Sequence, residues 1–511
     1  MNLSQVARVL AGFTLFFSLV QGIPLMFALF LDGAPNANAA DVDAVRGFVR
    51  GMAIGLGAAA LLWVAGRRAD GHFFRKEGLI VVGMAWLMSS LLGAIPFLSS
   101  AAMPTAADAI FESVSGLTTT GATVLGAPGQ HKISELPHSL LLWRSMLQWM
   151  GGLGIILVFI VLLPAMGVTG KNLLSSEQVG VSSDSLRPRM QEQARGLFRV
   201  YLVLTLLALA AYWAITGSFF ESVCHAFTTL STGGFSPRDA SIGEYDSVAL
   251  EIAVIVFMFL AGANFTLLLA TSRQRLFNPL VLLKNPEFRL YAALTVLLVL
   301  VVTAILIGSG KTLTYSLRQG TFAVVSLMTS TGYGAAADFQ KWPGPALSVL
   351  LLCMLIGGSS GSTAGGIKTV RLLVVGKVIA YQLRHFIRPK SVEKIRVGHD
   401  VVPTAIVGSV LAMTVLWVGA VSVGTLALSL DGRLHLLDCF SANLSMCGCT
   451  GPALSAVDPQ GHLVGEIDLG PMGSFGALRG WSKILLSLQM VFGRLEFLVP
   501  LAMLTPGFWK R

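Results

Sequence analysis

Apolar runs of about 20 residues, long enough for a helix to cross a bilayer, recur along the chain. They lie near 9–31, 47–66, 79–98, 139–163, 197–217, 248–270, 289–309, 346–378, 402–429 and 481–505, which predicts ten spanning helices. The run at 346–378 is interrupted from Gly357 to Gly366. Four shorter apolar stretches, near 106–120, 219–232, 316–331 and 436–450, each fall between two long runs. They are too short to span and suit re-entrant pore helices, which survive at membrane depth only where they line a wet cavity. The first run, Val9 to Leu31, exceeds a signal-peptide core and a second span follows it, so it reads as a retained transmembrane helix.

Composition narrows the class. The 511 residues are 54% hydrophobic and 12% charged, against roughly 25% charged in soluble domains. With a mean hydropathy of +0.73, a soluble enzyme is excluded and a polytopic membrane protein indicated. The net charge of +10 matters through its placement. Counting Lys and Arg, the even-numbered connections and the termini hold 23, the opposite side 11, and Lys368 and Arg494 sit inside apolar segments. That bias puts both termini in the cytoplasm and the four short helices outward. The basic residues therefore read as cytoplasmic loops rather than a nucleic-acid surface. The five cysteines form no secreted disulfide framework. No strand–glycine loop–helix unit marks a nucleotide site, and no cofactor is expected in this chain.

A repeat carries the chemistry. After each short stretch comes one local pattern: Thr119-Thr120-Gly121-Ala122, Ser231-Thr232-Gly233-Gly234, Ser330-Thr331-Gly332-Tyr333 and Cys449-Thr450-Gly451-Pro452. The chain divides into a two-helix extension (1–76) and four helix–pore helix–helix repeats, at 77–170, 171–272, 273–396 and 397–511. Glycine permits positive φ and close backbone approach. Four Thr-Gly turns (Thr120-Gly121, Thr232-Gly233, Thr331-Gly332, Thr450-Gly451) can thus aim carbonyl oxygens at one axis and replace a cation's water shell. Pore-helix C-termini would add partial negative charge. The competing reading is four glycine turns that end short packed helices.

These motifs resemble the Trk/Ktr/HKT superfamily of potassium transporters, closest to its TrkH branch, over essentially the whole chain. The resemblance rests on Ser115 to Thr123, on Trp143-Arg144-Ser145 with Gln148-Trp149-Met150-Gly151-Gly152-Leu153-Gly154, on Gly357 to Lys368, and on Gly493-Arg494-Leu495-Glu496. It implies an all-α polytopic fold, four repeats around a pseudo-fourfold pore, and K+ as the transported ion. It further implies a homodimer in the lipid bilayer of the bacterial inner membrane, regulated by a cytosolic nucleotide-binding subunit of the TrkA type. A glycine at the first filter position goes with potassium selectivity in the family, and serine with sodium passage in some plant members, so Gly121 argues for potassium. The fourth copy departs from the usual pattern: Met446-Cys447-Gly448-Cys449-Thr450-Gly451-Pro452 offers two candidates, Gly448 and Gly451, and Gly451 matches the other copies. Cys447 and Cys449, with no nearby His, make a poor metal site.

The run 357–366, with Gly357, Gly358, Gly361, Gly365 and Gly366, lacks a Walker pattern because Ile367 separates Gly366 from Lys368. Close packing through small residues is one reading. A broken helix whose loop crosses the permeation path is the other, and the resemblance implies an intramembrane gating loop. Arg494 within an apolar helix is costly unless paired or wetted, and reads as a cationic barrier or an interhelical salt bridge. Asp108, Glu112, Glu221 and Asp438 either concentrate cations at the outer mouth or cap pore helices. Two rival functions stand: a Na+- or H+-coupled symporter on the same scaffold, and, more distantly, a membrane-embedded enzyme. The segments near 171–199 and 371–396 are candidate docking surfaces for the regulatory subunit.

Overall fold

A computed structural model describes residues 2–32, 39–69, 75–100, 102–128, 130–165, 186–272, 280–389, 394–398, 400–458 and 462–509. Residues 171–185 of the docking segment near 171–199 lie outside the described residues. Among the described residues the fold is helical, with one two-stranded antiparallel hairpin, Arg396–Val397 against Asp400–Val401. Helices α1 (Leu3–Val20) and α2 (Ala39–Ala65) precede the first repeat.

A long helix, a short helix and a second membrane helix then recur four times. In repeat 1 these are α3 (Arg75–Ser99), α4 (Ala106–Leu117) and α5 (His138–Ala165). Repeat 2 has α6 (Leu186–Thr216), α7 (Phe219–Leu230) and the pair α8 (Val248–Ala261) and α9 (Phe265–Ser272). Repeat 3 has α10 (Pro286–Gly308), α11 (Leu313–Met328) and the pair α12 (Gly344–Ile356) and α13 (Thr369–Ile387). Repeat 4 has α14 (Thr404–Ser429), α15 (Leu436–Gly448) and the pair α16 (Gly480–Arg494) and α17 (Leu498–Leu504).

Among the described residues, six helices are long and apolar enough to cross a membrane, or seven if a bent pair counts as one span. The difference from ten comes largely from broken second helices. The sequence shows the break in repeat 3, but the runs 248–270 and 481–505 also read as continuous, and they are not. α8 and α9 meet at a 98° bend. Asn264 causes it: its Oδ1 accepts from the Thr266 and Leu267 amides and starts a new helix. α16 stops before Glu496 and Phe497, whose φ values of +59° and +45° are left-handed and end a right-handed helix.

The short helices have designed starts. Thr105 caps α4 by accepting from the Asp108 amide at 3.2 Å, and its hydroxyl donates to the Asp108 carboxylate at 2.7 Å. Ser218 and Thr312 cap α7 and α11. Asp438 accepts from the His435 amide at 2.9 Å to open α15. The outer faces of the long helices stay apolar, with Leu61 74%, Val415 71% and Leu426 71% exposed, as a lipid-facing surface requires. Polar residues go inside: Thr118, Thr119 and Thr120 are fully buried.

Candidate ion filter and gate

Each short helix ends in a turn of one conformation. Thr119, Thr232, Ser330 and Cys449 have φ between +50° and +54°. Two residues later stand Gly121, Gly234, Gly332 and Gly451, with φ from +76° to +102°. The residue between them donates its amide back to the helix: Thr120 to Ser115 O, Gly233 to Thr228 O, Thr331 to Ser326 O and Thr450 to Ser445 O, all at 2.8–2.9 Å. A left-handed non-glycine costs about 1–3 kcal/mol. Seven of the nine described non-glycine residues with positive φ lie in these turns or in the breaks below them.

The register corrects the sequence pattern in the second copy. By dipeptide matching, Thr232-Gly233 aligns with Thr120-Gly121. By conformation and hydrogen bonding, Gly233-Gly234 is the equivalent pair, and Thr232 takes the position of Thr119. In the fourth copy Gly451 takes the left-handed position, whereas Gly448 closes α15.

The four turns close a ring. A side chain at Gly121 would meet the Gly233 carbonyl oxygen, one at Gly234 the Thr331 oxygen, one at Gly332 the Thr450 oxygen and one at Gly451 the Thr120 oxygen. Repeat 1 therefore touches 2, 2 touches 3, 3 touches 4 and 4 returns to 1. Hydroxyl pairs brace two of the turns, Thr118 with Thr120 and Thr329 with Thr331, each at 2.8 Å.

Around the ring the acids are occupied. Glu112 accepts from Arg144 Nε at 2.8 Å, from the Thr123 hydroxyl and from the Val124 amide. Arg144 also donates to Ser236 O at 3.1 Å and covers the Phe235 ring at 4.1 Å, tying the first turn's exit to the second's. Asp108 is paired with Lys483. Glu221 holds Tyr245 and Arg238. Asp438 also accepts from the Ala456 amide at 2.7 Å. These four acids hold helix starts and loops in place. His225 lies between Glu221 O and Ser236 Oγ, and Cys447 and Cys449 bond Gln489 and Met490 O.

Beneath the ring runs the loop between α12 and α13. The Gly365 amide donates to Ser330 Oγ at 2.7 Å, and the Gly366 amide to Gly448 O at 3.0 Å. Thr363 Oγ1 donates to Leu230 O at 3.1 Å. The loop thus touches three of the four turn regions. The Ser359 amide donates to Gly262 O, and Phe265 N donates to Gly361 O, which joins the loop to the break in repeat 2. Gly357 packs against Gly365 and Gly366 so closely that no side chain fits, and Gly358 lies against Gly262.

Arg494 is 3% exposed. Its Nη1 donates to Thr363 O at 2.6 Å and its Nη2 to Gly151 O at 3.4 Å. Its partners are carbonyls, so it clamps the loop to repeat 1, and among the described residues it forms no salt bridge. The neighbouring carboxylate, Glu496, pairs with Arg371 at 2.5 Å and Lys368 at 3.8 Å. Glu287, at the start of α10, accepts from the Ser360 amide at 2.5 Å. Sequence reasoning missed Glu287, Asn264, Gly234 and the Glu112–Arg144 pair. Only the Asn264 break had a local signal, the Gly262-Ala263-Asn264 step within an apolar run.

Four long–short–long helical units closed around one axis define a helical membrane transport protein. Residues 45–505 match the model of the TrkH family, described as cation transport proteins. The chain belongs to that family, whose members are transporters rather than enzymes. It is 33% identical to the "Trk system potassium uptake protein TrkH" of Salmonella typhimurium over 522 residues, covering 100% of both chains. Against the Escherichia coli K12 protein of the same name it is 33% identical over 521 residues, again covering 100% of both. The crystal structure of the potassium transporter TrkH from Vibrio parahaemolyticus superposes with a TM-score of 0.86 at 31% identity, covering 100% of both chains.

Proposed function

We propose that this chain takes up K+ across the bacterial cytoplasmic membrane through a channel-like pore. The carbonyls of the turns ending at Gly121, Gly234, Gly332 and Gly451 select the ion. The single observation that carries this reading is the cyclic contact of four turns sharing one strained conformation. Four identical backbone geometries around one axis suit a bare spherical cation, because they offer several oxygens of equal distance in place of its hydration shell.

The loop 357–366 and Arg494 restrain flow. The loop lies under three turn regions, and a buried guanidinium under a cation filter opposes the ion electrostatically. Release of Arg494 from Thr363 O and Gly151 O accompanies opening. The protein works as a homodimer with both termini cytoplasmic. A cytosolic nucleotide-binding subunit of the TrkA type drives the loop through the cytoplasmic part of α13 and the hairpin that follows; the relatives' names, which assign them to a Trk system, support a partner.

Rubidium uptake into proteoliposomes tests the proposal. Uptake is expected to be competed by K+ far better than by Na+, and Gly121→Ser is expected to narrow that preference. A parent protein that ignores both rubidium and K+ refutes it.

A further inference from the structure

Four-residue spacing exposes a second, quieter repeat in the helices behind the ring. Gln148-Trp149-Met150-Gly151-Gly152 in α5 corresponds to Met258-Phe259-Leu260-Ala261-Gly262, to Met354-Leu355-Ile356-Gly357-Gly358 and to Met490-Val491-Phe492-Gly493-Arg494. Contacts support the alignment. Gly151 lies against Leu117 O of its own pore helix, and Gly493 against Cys447 O of its own. Gly152 and Gly262 lie against Ser231 and Thr329, equivalent residues of the next repeat. Three repeats therefore carry a fully buried methionine where repeat 1 carries fully buried Gln148.

A second irregularity sits opposite it. Among the central residues of the four turns, three are threonines (Thr120, Thr331, Thr450) and one is Gly233. Gln148 Nε2 donates to Gly233 O at 2.7 Å, and its Oε1 accepts from the Phe235 amide at 3.1 Å. A side chain at position 233 would run into the Gln148 amide. The glutamine thus fills the space of the missing threonine and takes over its bracing. In doing so it spends a donor on one carbonyl of the ring. Among the described residues, Thr120 O, Thr331 O and Thr450 O accept no such side-chain hydrogen bond.

We propose that Gln148 is a specificity-determining positioning residue: by bonding Gly233 O it orients and weakens one of the four equivalent carbonyls, which biases the ring toward the larger, more easily dehydrated K+. A carbonyl that already accepts an N–H has less field left for a cation, and ring field strength is one of the quantities that sort K+ from Na+. This inference rests on the potassium-filter reading above.

The test uses the full-length protein in proteoliposomes, with rubidium uptake competed by K+ and by Na+, alongside thermal stability. Gln148→Met removes the donor with little change of volume. Gln148→Met with Gly233→Thr restores the Met/Thr pattern of the other three repeats; Gly233 does not have positive φ, so threonine is conformationally allowed there. Gln148→Met is expected to lower the K+-over-Na+ preference about fivefold, the factor that one ordinary net hydrogen bond is worth. The double variant is expected to regain parental stability while keeping the reduced preference, because its fourth carbonyl stays free. Should Gln148→Met fold poorly, the double variant alone decides. Parental ion preference in either variant overturns the proposal, since a merely structural brace would restore preference and stability together. A parent with no rubidium uptake at all overturns the transport reading instead.

Discussion

The ring and the layer beneath it are built from the same four repeats, yet they treat symmetry in opposite ways. In the ring, four turns share one set of φ values and one amide-to-helix hydrogen bond. One layer below, the second helices are all different. α5 runs through, α8 and α9 meet at 98°, α12 and α13 are parted by a loop, and α16 and α17 by Glu496 and Phe497. For the proposed filter, a cation has no preferred direction, so holding it rewards identical ligands. Opening and closing need one element that moves while its neighbours hold, and that rewards difference. Strain collects in both layers because each holds its backbone against local preference.

The largest expected effect separates the layers through glycine. Gly332→Ala puts a methyl on the Thr450 carbonyl at a φ of +76° and should abolish selective uptake. Gly361→Ala also has an unfavourable φ, +72°, but meets only the Asn264 side chain at 3.3–3.4 Å. It should change the rate while leaving the K+/Na+ preference parental. Rubidium competition measures both. A Gly361 variant with altered ion preference breaks the division between layers.

Next in size is the brace of the ring. Arg144→Leu leaves Glu112 buried and unpaired, which costs about 3–5 kcal/mol, and a thermal-melt series should show it as a loss of most of the folded protein's stability margin. Glu112→Gln with Arg144→Met should recover much of that loss, because no uncompensated charge remains. A stable Arg144→Leu protein would mean that water reaches Glu112.

The ring was more legible in the sequence than the layer beneath it, for a physical reason. Each turn must solve the same local problem, so its glycine and hydroxyl residues recur and can be found by self-comparison. Even there, matching letters misplaced the second copy by one residue. Gly233 replaces a threonine, and its bracing comes from Gln148, remote in sequence. The breaks in the second helices obey no shared rule. Gly357 to Gly366 is visible as composition, Asn264 acts as a single cap within an apolar run, and the Glu496–Phe497 break leaves hydropathy untouched. The charges at the ring's rim left two readings open in the sequence. Their sign suggests cation attraction, but Asp108, Glu112, Glu221 and Asp438 spend it on partners that only the fold brings near. The recurrence of Met258, Met354 and Met490 against Gln148 was in the sequence throughout, hidden because apolar residues in apolar helices carry little contrast.

Smaller effects are expected in the layer beneath the ring, the proposed gate. A unit charge taken at about 10 Å from the ion, with an effective dielectric constant near 20, raises its energy by about 1.7 kcal/mol, a brake of roughly tenfold to twentyfold. Arg494→Gln should therefore raise basal rubidium flux by about that factor, with ion preference kept. Glu496→Gln should act in the same direction but less, since it loosens Arg371 and Lys368 while Arg494 still holds Thr363 O. Flux unchanged in Arg494→Gln would remove the arginine from the gate and leave the loop alone as the barrier.

The smallest expected effect lies outside both layers and shows whether the ring's outer frame is electrostatically set. Asp431, just after α14, accepts from Arg433 Nε at 2.8 Å and Ser482 Oγ at 2.6 Å, with Arg479 Nε at 3.6 Å. It fastens the loop between α14 and α15 to the start of α16. Desolvation pushes its pKa up, but the bonds from Arg433 and Ser482 and the nearby Arg479 outweigh it and hold the carboxyl below its ordinary value. A depressed folded-state pKa contributes stability above the unfolded carboxylate pKa, about 4, and loses it as pH falls through the folded value. Asp431→Asn should accordingly be less stable than the parent at pH 7, and the two melting temperatures should converge as pH falls below about 4. Because the residue touches neither turn nor loop, uptake per folded molecule and ion preference should stay parental. A melting gap that stays constant down to pH 3 would assign Asp431's role to hydrogen-bond geometry, which an asparagine also disturbs, and would leave charge with no part in holding the frame around the ring.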